Sequence, residues 1–418
     1  MKGLNKTLTA ATFAALISGQ AHAGNVEVLH YWTSGGEAAA LAILQKMMKD
    51  EGHSWTDFAV AGGGGETAMT VLKSRAISGN PPSASMIAGP EIAQWGDLGV
   101  LAKLDEVATS ERWDALLPKA VADIHKYQGS YVAAPVNVHR INWMWMNKSI
   151  LDQVNGGQVP QSWDEFFAFM DKAKQAGFIA FAHGGQDWQD ATVFEQVALG
   201  VGGDDWYRQA FVELDKQALS SDTMTQAFAT FKKLKSYMDP GMPGRDWNLT
   251  TAMVIDGKAA VQIMGDWAKG EFAAAGKQPG KDYVCATVPG TQNAFNFNVD
   301  AFMMFEQKSK EAQAAQQDLS RLLVSKEFQE EFNLKKGSIP VRPDVSLARY
   351  DSCAKQSMSD FQASAKSGSL VPSFAHAMAM EPAVSGAVYD VVTNFFNDND
   401  MTADAATSRL VSAIELAQ

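Results

Sequence analysis

The segment HYWTSGGE, residues 30–37, combines two aromatic rings, small residues and a carboxylate. Tyr31 and Trp32 end a short apolar run that is typical of a strand. Because adjacent strand residues point to opposite faces, we expect at least one ring to leave the core. An aromatic face beside the carboxylate of Glu37 suits the apolar C–H face and the hydroxyl groups of a sugar ring. Ser34 and Glu37 also have the spacing of a helix capping box, so the sequence leaves both interpretations of Glu37 open.

Two further segments each contain an Asp-Trp pair, GRDWN at 244–248 and MGDWAKGE at 264–271. Core packing is the default role of a tryptophan, but the polar residues around Trp247 and Trp267 predict that both rings are partly exposed. Exposed rings of this kind could stack against a flat apolar ligand surface. The segment HGGQDWQD at 183–190 is equally rich in hydrogen-bonding groups, and its role stays open.

Polar residues also occur near the end of the chain. The segment FNFNVDAF places Asn296, Asn298 and Asp300 on one face of a strand, and such a face is either solvated or lines a site. Residues 310–337 are predicted to be one long amphipathic helix that ends at Gly337. Lys336 lies at its end, where its charge could simply favour the helix C-terminus. His376 lies in PSFAHAM among small neutral residues, where a lone histidine is usually structural. These residues alone do not identify a ligand.

Patterns for catalysis and metal binding find little support. There is no GxSxG segment and no legible Cys/His pairing. Glu37, Asp266 and Glu271 could form the carboxylate pair of a glycosidase, but the sequence does not fix the distances between them. The seven histidines are dispersed without an HExxH pattern, so we predict no metal site and no cofactor. The glycines at 62–65 lack the Gly-Lys-Ser/Thr of a phosphate loop and precede Glu66, which favours a flexible loop near a cleft.

The elements that must position these residues begin with alternating strands and helices. VEVLHYW, WTDFAVAG and PSASMIAG are typical of strands, and the segments between them are typical of helices. This alternation predicts an α/β lobe with a largely parallel sheet. A β-rich run, a helical stretch from about 147 to 285 and a second strand-rich part follow, and the last part is again helical. We therefore expect a chain that crosses between two lobes more than once, with ligands at the carboxyl ends of strands.

Residues 1–23 are predicted to be an export signal that is cleaved after Ala23. Lys2 and Lys6 precede a short apolar run, and AHA fits a small-residue cleavage site. A membrane anchor is the alternative, but the run falls short of the roughly 20 residues that span a bilayer. The remaining chain is expected to be exported and soluble. Loss of Lys2 and Lys6 with the signal changes the formal net charge from −12 to −14, which argues against nucleic acid or anionic lipid as a partner.

The sequence leaves open whether its two cysteines form a disulfide. An exported chain with two cysteines permits one disulfide, between Cys285 and Cys353. The sequence alone does not show that they pair, and their spacing matches neither a CxxC redox motif nor a zinc site.

These segments together resemble the periplasmic glucose/mannose-binding proteins of bacterial ABC importers, within family 1 of the extracellular solute-binding proteins. The resemblance runs over nearly the whole chain after residue 23 and rests on ordered motifs. These are EVLHYWTSGGE, AGGGGETAMTVLKSR, PVNVHRINW, HGGQDWQDATVFE, GRDWN, MGDWAKGE, KGSIPVR and FAHAMA.

The resemblance implies a two-lobed α/β periplasmic-binding-protein fold of type II-like topology, with several crossings and the ligand in the interlobe cleft. We expect an N-terminal lobe of residues 24–135 and 291–340, and a C-terminal lobe of residues 136–290 and 341–418. The expected protein is a periplasmic monomer without enzymatic activity. It would bind a monosaccharide, glucose or a related aldohexose, and contact the membrane permease transiently. An exported carbohydrate-active enzyme and a sugar sensor for a chemoreceptor or kinase are the alternatives.

The resemblance also assigns site residues. The family's aromatic pair after the first strand is commonly Trp-Trp and is Tyr31-Trp32 here. Its acid, cleft tryptophans, strand aspartate, lysine and late histidine match, in that order, Glu37, Trp247, Trp267, Asp300, Lys336 and His376. The aromatic residues would stack on the sugar, and the others would hydrogen-bond its hydroxyl groups. One position departs from the pattern, since close relatives carry a polar or basic residue where this chain has Ala88, which puts the exact sugar in doubt.

Overall fold

The structure is a computed structural model and describes residues 23–62 and 65–418. Almost all of the predicted export signal therefore lies outside the described residues, as does the middle of the glycine run at 62–65. Within the described ranges, no helix combines the length and the apolar character needed to cross a membrane.

Fourteen strands are formed within the described residues. They are β1 (Asn25–His30), β2 (Ser54–Ala59), β3 (Ala84–Ile87), β4 (Lys126–Tyr127), β5 (Ser130–Tyr131), β6 (Ala133–Pro135), β7 (His139–Arg140), β8 (Trp143–Asn147), β9 (Ile179–Phe181), β10 (Ala259–Ile263), β11 (Tyr283–Thr287), β12 (Phe295–Asn298), β13 (Ala301–Met304) and β14 (Leu370–Pro372).

Eighteen α-helices occur in the described part of the chain. They are α1 (Gly35–Asp50), α2 (Glu66–Ile77), α3 (Glu91–Asp97), α4 (Asp105–Ser110), α5 (Trp113–Leu116), α6 (Lys119–Ala122), α7 (Lys148–Asn155), α8 (Trp163–Gln175), α9 (Asp187–Phe211), α10 (Lys216–Leu219), α11 (Asp222–Leu234), α12 (Trp247–Ile255), α13 (Ala268–Ala274), α14 (Lys310–Val324), α15 (Lys326–Lys336), α16 (Ser352–Ser367), α17 (Pro382–Asn397) and α18 (Ala403–Ala417).

The first sheet has five strands in the order β2-β1-β3-β13-β6. Strand β1 is parallel to β2 and β3, and β13 is antiparallel to β3 and β6. Neighbouring residues such as Val28 and Leu29 contact different apolar clusters, so the sheet is buried on both faces. The strand-helix alternation predicted for the start of the chain is confirmed. We call this sheet and its helices the N-terminal lobe.

The second sheet has four strands in the order β11-β8-β10-β9. In β8, Met144 and Met146 pack in one apolar cluster while Trp143 and Trp145 pack in another, as the period of two requires. The helical middle of the chain packs on this sheet together with α17 and α18. We call this unit the C-terminal lobe.

A small sheet, in the order β14-β12-β7, contains two of the passages between the lobes. Strand β7 lies between β6 of the first sheet and β8 of the second, and β12 lies between β11 of the second sheet and β13 of the first. The predicted repeated crossing is therefore present. The exact lobe boundaries proposed from the sequence stay predictions.

Two details of the elements differ from, or add to, the sequence prediction. The single long helix predicted before Gly337 is two helices, because extended Ser325 caps α15, its Oγ accepting the Phe328 N–H at 3.3 Å. Cys285 of β11 and Cys353 of α16 form a disulfide that ties the second sheet to the helix beside the small sheet.

Candidate functional site

A cavity of about 350 Å³ lies between the lobes, at the lower end of the range for small-molecule sites. Every ligand-binding residue predicted from the sequence lines it, namely Tyr31, Trp32, Glu37, Trp247, Trp267, Asp300, Lys336 and His376. Several follow strand ends: Tyr31 and Trp32 follow β1, Trp267 follows β10, and Asp300 follows β12. The cavity also includes residues that the sequence did not single out as ligand-binding, among them Met86, His139, Gln186, Trp188, Asp246, Asn248 and Asn298.

Glu37 forms the helix cap that its spacing from Ser34 predicts, and its second carboxylate oxygen binds Lys336. Ser34 Oγ accepts the Glu37 N–H at 3.4 Å, and Glu37 Oε2 accepts the backbone N–H groups of Thr33 and Ser34, which completes the capping box of α1. Its other oxygen, Oε1, accepts a hydrogen bond from Lys336 Nζ at 2.7 Å. An ammonium has three N–H donors, and the described residues give Lys336 Nζ this one hydrogen-bond acceptor. Lys336 is therefore held at the cavity with donors left for a ligand.

Asp300 is held by a buried histidine that joins it to a second carboxylate. His139 Nε2 lies 2.9 Å from Asp300 Oδ2, and His139 Nδ1 contacts Asp266 Oδ1. The other oxygen of Asp266 accepts the Arg140 N–H at 3.0 Å, and Asp300 Oδ1 accepts a hydrogen bond from Asn298 at 3.2 Å. His139 is on β7, so this chain of contacts runs through one of the strands that connect the lobes.

The charged states of His139 and its carboxylate partners stabilise one another. Burial alone would lower the pKa of His139, but the carboxylates of Asp266 and Asp300 outweigh it and raise the pKa to about 9. Burial alone would raise the pKa of Asp300, but the His139 cation and the Lys336 ammonium hold it below its ordinary value. At neutral pH, His139 is therefore a cation and Asp300 is an acceptor-only carboxylate.

His139 was missed when the sequence was interpreted. It stands in PVNVHRINW, where His139 and Arg140 are a charged pair within an otherwise mostly apolar run, and both are buried. A buried charged pair needs partners elsewhere in the fold, and this signal could have marked the position as a site candidate.

His376 is neutral, and its tautomer follows from its neighbour. Burial and the nearby cationic His139 lower its pKa to about 3. Thr192 Oγ1 donates its single hydrogen to the Trp188 carbonyl at 2.7 Å, so it must accept from His376 Nε2, which lies at 3.1 Å. Nδ1 of His376 is consequently left without a hydrogen and can only accept a hydrogen bond.

The loop that carries His376 is held by α9. Glu195 accepts hydrogen bonds from Ser373 Oγ at 2.7 Å, from the Phe374 N–H at 2.6 Å and from the Tyr207 hydroxyl. Burial raises the pKa of Glu195 to about 7, although these donors oppose the shift. Thr192 and Glu195 lie three residues apart and so share one face of the helix. One helix face therefore positions both the ring of His376 and its backbone.

The aromatic residues that line the cavity differ in how far each ring is available to a ligand. Trp267 has its ring centroid 4.9 Å from that of His376 and 6.5 Å from that of Trp188, and it is only 8% exposed, so the partial exposure predicted for it is wrong. Trp247 is half-buried at the start of α12, as predicted. Trp32 is only 2% exposed, because it packs against Phe302 and Phe332 in the core. Its neighbour Tyr31 is the ring that leaves the core, as expected when adjacent strand residues point to opposite faces. The stacking surface predicted for Trp32 is thus mostly used for packing, and Trp188 is an aromatic surface that the sequence left undecided.

The carboxylates considered for a glycosidase pair all have protein partners. Glu37 pairs with Lys336, and Asp266 pairs with His139. Glu271 Oε1 accepts the Gly36 N–H at 2.9 Å, which joins α13 of the C-terminal lobe to the start of α1 in the N-terminal lobe. The lobes therefore touch directly beside the cavity.

The amino-acid sequence is similar to a known protein family and to curated proteins from other bacteria. A family described as bacterial extracellular solute-binding proteins matches residues 42–360. A "Probable sugar-binding periplasmic protein" of Brucella suis is 49% identical over 394 residues, covering 94% of this chain and 93% of that protein. A protein of the same name from Rhizobium meliloti is 48% identical over 417 residues, covering the whole of both chains.

A solved structure shares the fold. A "Chitin oligosaccharide binding protein" superposes with a TM-score of 0.80 at 17% identity, covering 94% of this chain and 99% of that one. The predicted two-lobed α/β fold is confirmed.

Proposed function

Because this chain belongs to the bacterial extracellular solute-binding proteins and is the periplasmic sugar-binding component of an ABC importer, we propose that it binds a monosaccharide, glucose or a related aldohexose. Tyr31, Trp247 and Trp267 would provide stacking surfaces, while Asp300, Lys336 and His376 would bond the hydroxyl groups. Glu37 would act chiefly by fixing Lys336, and Trp32 by packing beneath Lys336.

The observation that carries this proposal is the mixture of fixed donors and acceptors around one cavity. Lys336 offers N–H donors, while Asp300 and Nδ1 of His376 can only accept. A sugar hydroxyl both donates and accepts, so a hexose ring can satisfy such a set, and the tryptophans suit its C–H faces. Fixed partners also reduce the entropy lost when the ligand binds.

The mechanism that we propose is closure of the lobes on the sugar without covalent chemistry. Contacts such as that of Gly36 with Glu271 would form on closure, and the closed receptor would then dock transiently on the permease subunits. Binding rather than hydrolysis is supported by the protein partners of Glu37, Asp266 and Glu271, which engage each of these carboxylates.

Calorimetric titration of residues 24–418 with glucose, mannose, galactose and xylose tests the proposal. We expect saturable 1:1 binding of one hexose with a Kd of about 1 μM, equivalent to about 8 kcal/mol. The sugar should be recovered unchanged. The absence of binding by every hexose would contradict the monosaccharide assignment, and a hydrolysed or isomerised sugar would favour an enzyme.

A further inference from the structure

A second cavity, of about 270 Å³, lies beside the first in the same interlobe cleft. Four residues line both cavities, which places their side chains along the boundary between the two spaces: Tyr31, Met86, Asn298 and His376. Two of them, Tyr31 and His376, are among the residues that we propose to contact the sugar. A group attached to a sugar in the first cavity would therefore extend toward the second.

Both lobes contribute to the walls of the second cavity. Ala88 follows β3 and Glu91 begins α3 in the N-terminal lobe, while Gly386 and Tyr389 lie on α17 in the C-terminal lobe. Like the first cavity, the second is thus formed only when the two lobes lie together. This geometry is expected of a ligand site in a receptor that closes and differs from a packing defect inside one lobe.

The walls are chemically mixed. Polar and charged groups line part of the wall, namely the hydroxyl groups of Thr70 and Ser385, the carboxylate of Glu91 and the ammonium of Lys73. The apolar side chains of Met69 and Ile87 line another part. Lys73 Nζ lies 3.7 Å from Glu91 Oε1, too far for a good hydrogen bond. In the described residues, Glu91 Oε1 and Ser385 Oγ are buried without a hydrogen-bond partner. Because both atoms have almost no accessible surface, a ligand hydroxyl group would reach them only after a small rotation of these side chains.

Two wall positions of the second cavity, one in each lobe, carry almost no side chain. Gly386 is exposed on α17 at the rim of the cavity, and a Cβ atom added there would meet no atom within 4 Å. In the N-terminal lobe, Ala88 contributes only a methyl group to the wall. A longer side chain at Ala88 would occupy the second cavity and would leave the first unchanged.

We propose that the second cavity binds a second sugar ring, so that this protein takes up a disaccharide whose first ring occupies the first cavity. This inference rests on the proposed function, because it assumes that the first cavity holds a hexose. Polar wall groups would form hydrogen bonds with the hydroxyl groups of the second ring. The small size of Ala88 and Gly386 would leave room for that ring and so set the length of ligand that fits.

Calorimetry with glucose and its disaccharides tests the proposal. Residues 24–418 would be titrated with glucose, maltose, cellobiose, trehalose and sucrose. We expect at least one disaccharide to bind about tenfold or more tightly than glucose, since one or two added hydrogen bonds to charged groups suffice for that ratio. A panel with several linkages is needed because the direction from one cavity to the other restricts the glycosidic bond.

Two variants fill the second cavity from opposite lobes, Ala88→Leu and Gly386→Leu. Each should weaken disaccharide binding by about tenfold or more, because the new side chain would occupy the space of the second ring. Each should leave glucose binding nearly unchanged. Ala383→Leu is the matched control, since it lies on the same helix α17, is exposed and lines neither cavity. If one variant fails to fold, the other, placed in the opposite lobe, still decides.

The outcomes separate the two proposals. Glucose binding with no tighter disaccharide would overturn the second-ring site and leave the proposed function intact. A tightly bound disaccharide whose affinity is the same in both cavity-filling variants would place the second ring elsewhere and would also overturn it. If no sugar in either panel binds, the proposed function itself fails, and the inference that rests on it fails too.

Discussion

At the scale of single residues, the site consists of buried charges that are paired before any ligand arrives. His139 lies between Asp266 and Asp300, and Lys336 lies against Glu37. Burying an isolated charge is expensive, whereas a buried charge with well-placed partners is tolerated and is held in one position. These pairs explain how the cavity presents a fixed set of donors and acceptors.

Asp300→Asn should weaken sugar binding by about 10- to 100-fold, because a hydrogen bond to a charged group contributes about 1.5–3 kcal/mol. The substitution keeps the shape of the side chain but removes the acceptor-only carboxylate. Calorimetry would measure the change, with Asp205→Asn as the control because Asp205 is exposed on α9. Equal affinities for wild type and Asp300→Asn would exclude Asp300 as a principal sugar contact.

His139→Gln should remove a pH dependence of stability. The pKa of this histidine is about 9 in the folded protein and about 6.5 when unperturbed, because the two carboxylates favour the cation. The stability that it contributes is complete below pH 6.5 and is lost as the pH rises through about 9. The wild-type Tm should therefore fall over this range by a few degrees more than the Tm of the variant. Parallel curves of Tm against pH would show that His139 is not a cation in the folded state.

At the scale of elements, the site depends on contacts between helices, and between one helix and a loop, that come from different lobes or distant parts of the chain. The start of α1 contacts α13, and one face of α9 holds the loop that carries His376. A Cβ atom on Gly36 would lie 2.9 Å from the Gly270 carbonyl carbon, so the two helices approach as closely as glycine allows. By contrast, a Cβ atom on Gly35 would meet only Glu271 Oε2, at an ordinary 3.8 Å.

Gly36→Ala should weaken sugar binding by about tenfold, because the new methyl group obstructs the closed contact between the lobes and such overpacking costs about 1–3 kcal/mol. Alanine favours a helix over glycine, so the sugar-free Tm should stay the same or rise slightly. Gly35→Ala is the matched control in the same helical turn, and its affinity should equal that of wild type. If both variants bind sugar equally well, the contact of α1 with α13 does not belong to the closed, ligand-bound state.

At the scale of the whole molecule, two lobes are joined by β7, by β12 and by the segment between α15 and α16. The arrangement lets the lobes move as units about the small sheet, which is the hinge motion expected of a receptor that closes on its ligand. The disulfide between Cys285 and Cys353 stiffens the C-terminal side of this junction without lining either cavity.

The double variant Cys285→Ser, Cys353→Ser should be less stable with little change in sugar affinity. The bond closes a loop of 68 residues, and loop-closure entropy gives a contribution of about 4 kcal/mol to the free energy of unfolding. Urea denaturation would measure the loss, and calorimetry would measure the affinity. A large loss of affinity with unchanged stability would mean that the disulfide sets the position of the lobes rather than the stability of the fold.

Local signals in the sequence determined much of this protein. Alternating strands and helices predicted the α/β lobes, and the spacing of Ser34 and Glu37 predicted the capping box that the structure contains. The order of short motifs placed the candidate site residues at strand and helix ends, and all of them line the first cavity. Such features are readable because helical and strand periods act over a few neighbouring residues. The same periodicity does not reveal the break between α14 and α15, since only the extended conformation of Ser325 interrupts an otherwise continuous helical pattern.

Only the tertiary structure decided which of these residues meet. Lys336 and Glu37 are 299 positions apart, and His139 and Asp300 are 161 apart, so no periodicity connects them. The use of Trp32 for packing, the role of Trp188 at the cavity and the existence of a second cavity behind Ala88 also follow from packing between distant segments. The sequence specifies which groups are present near the ends of elements. The protonation states and the space left for a ligand depend on the distances between them in the folded chain.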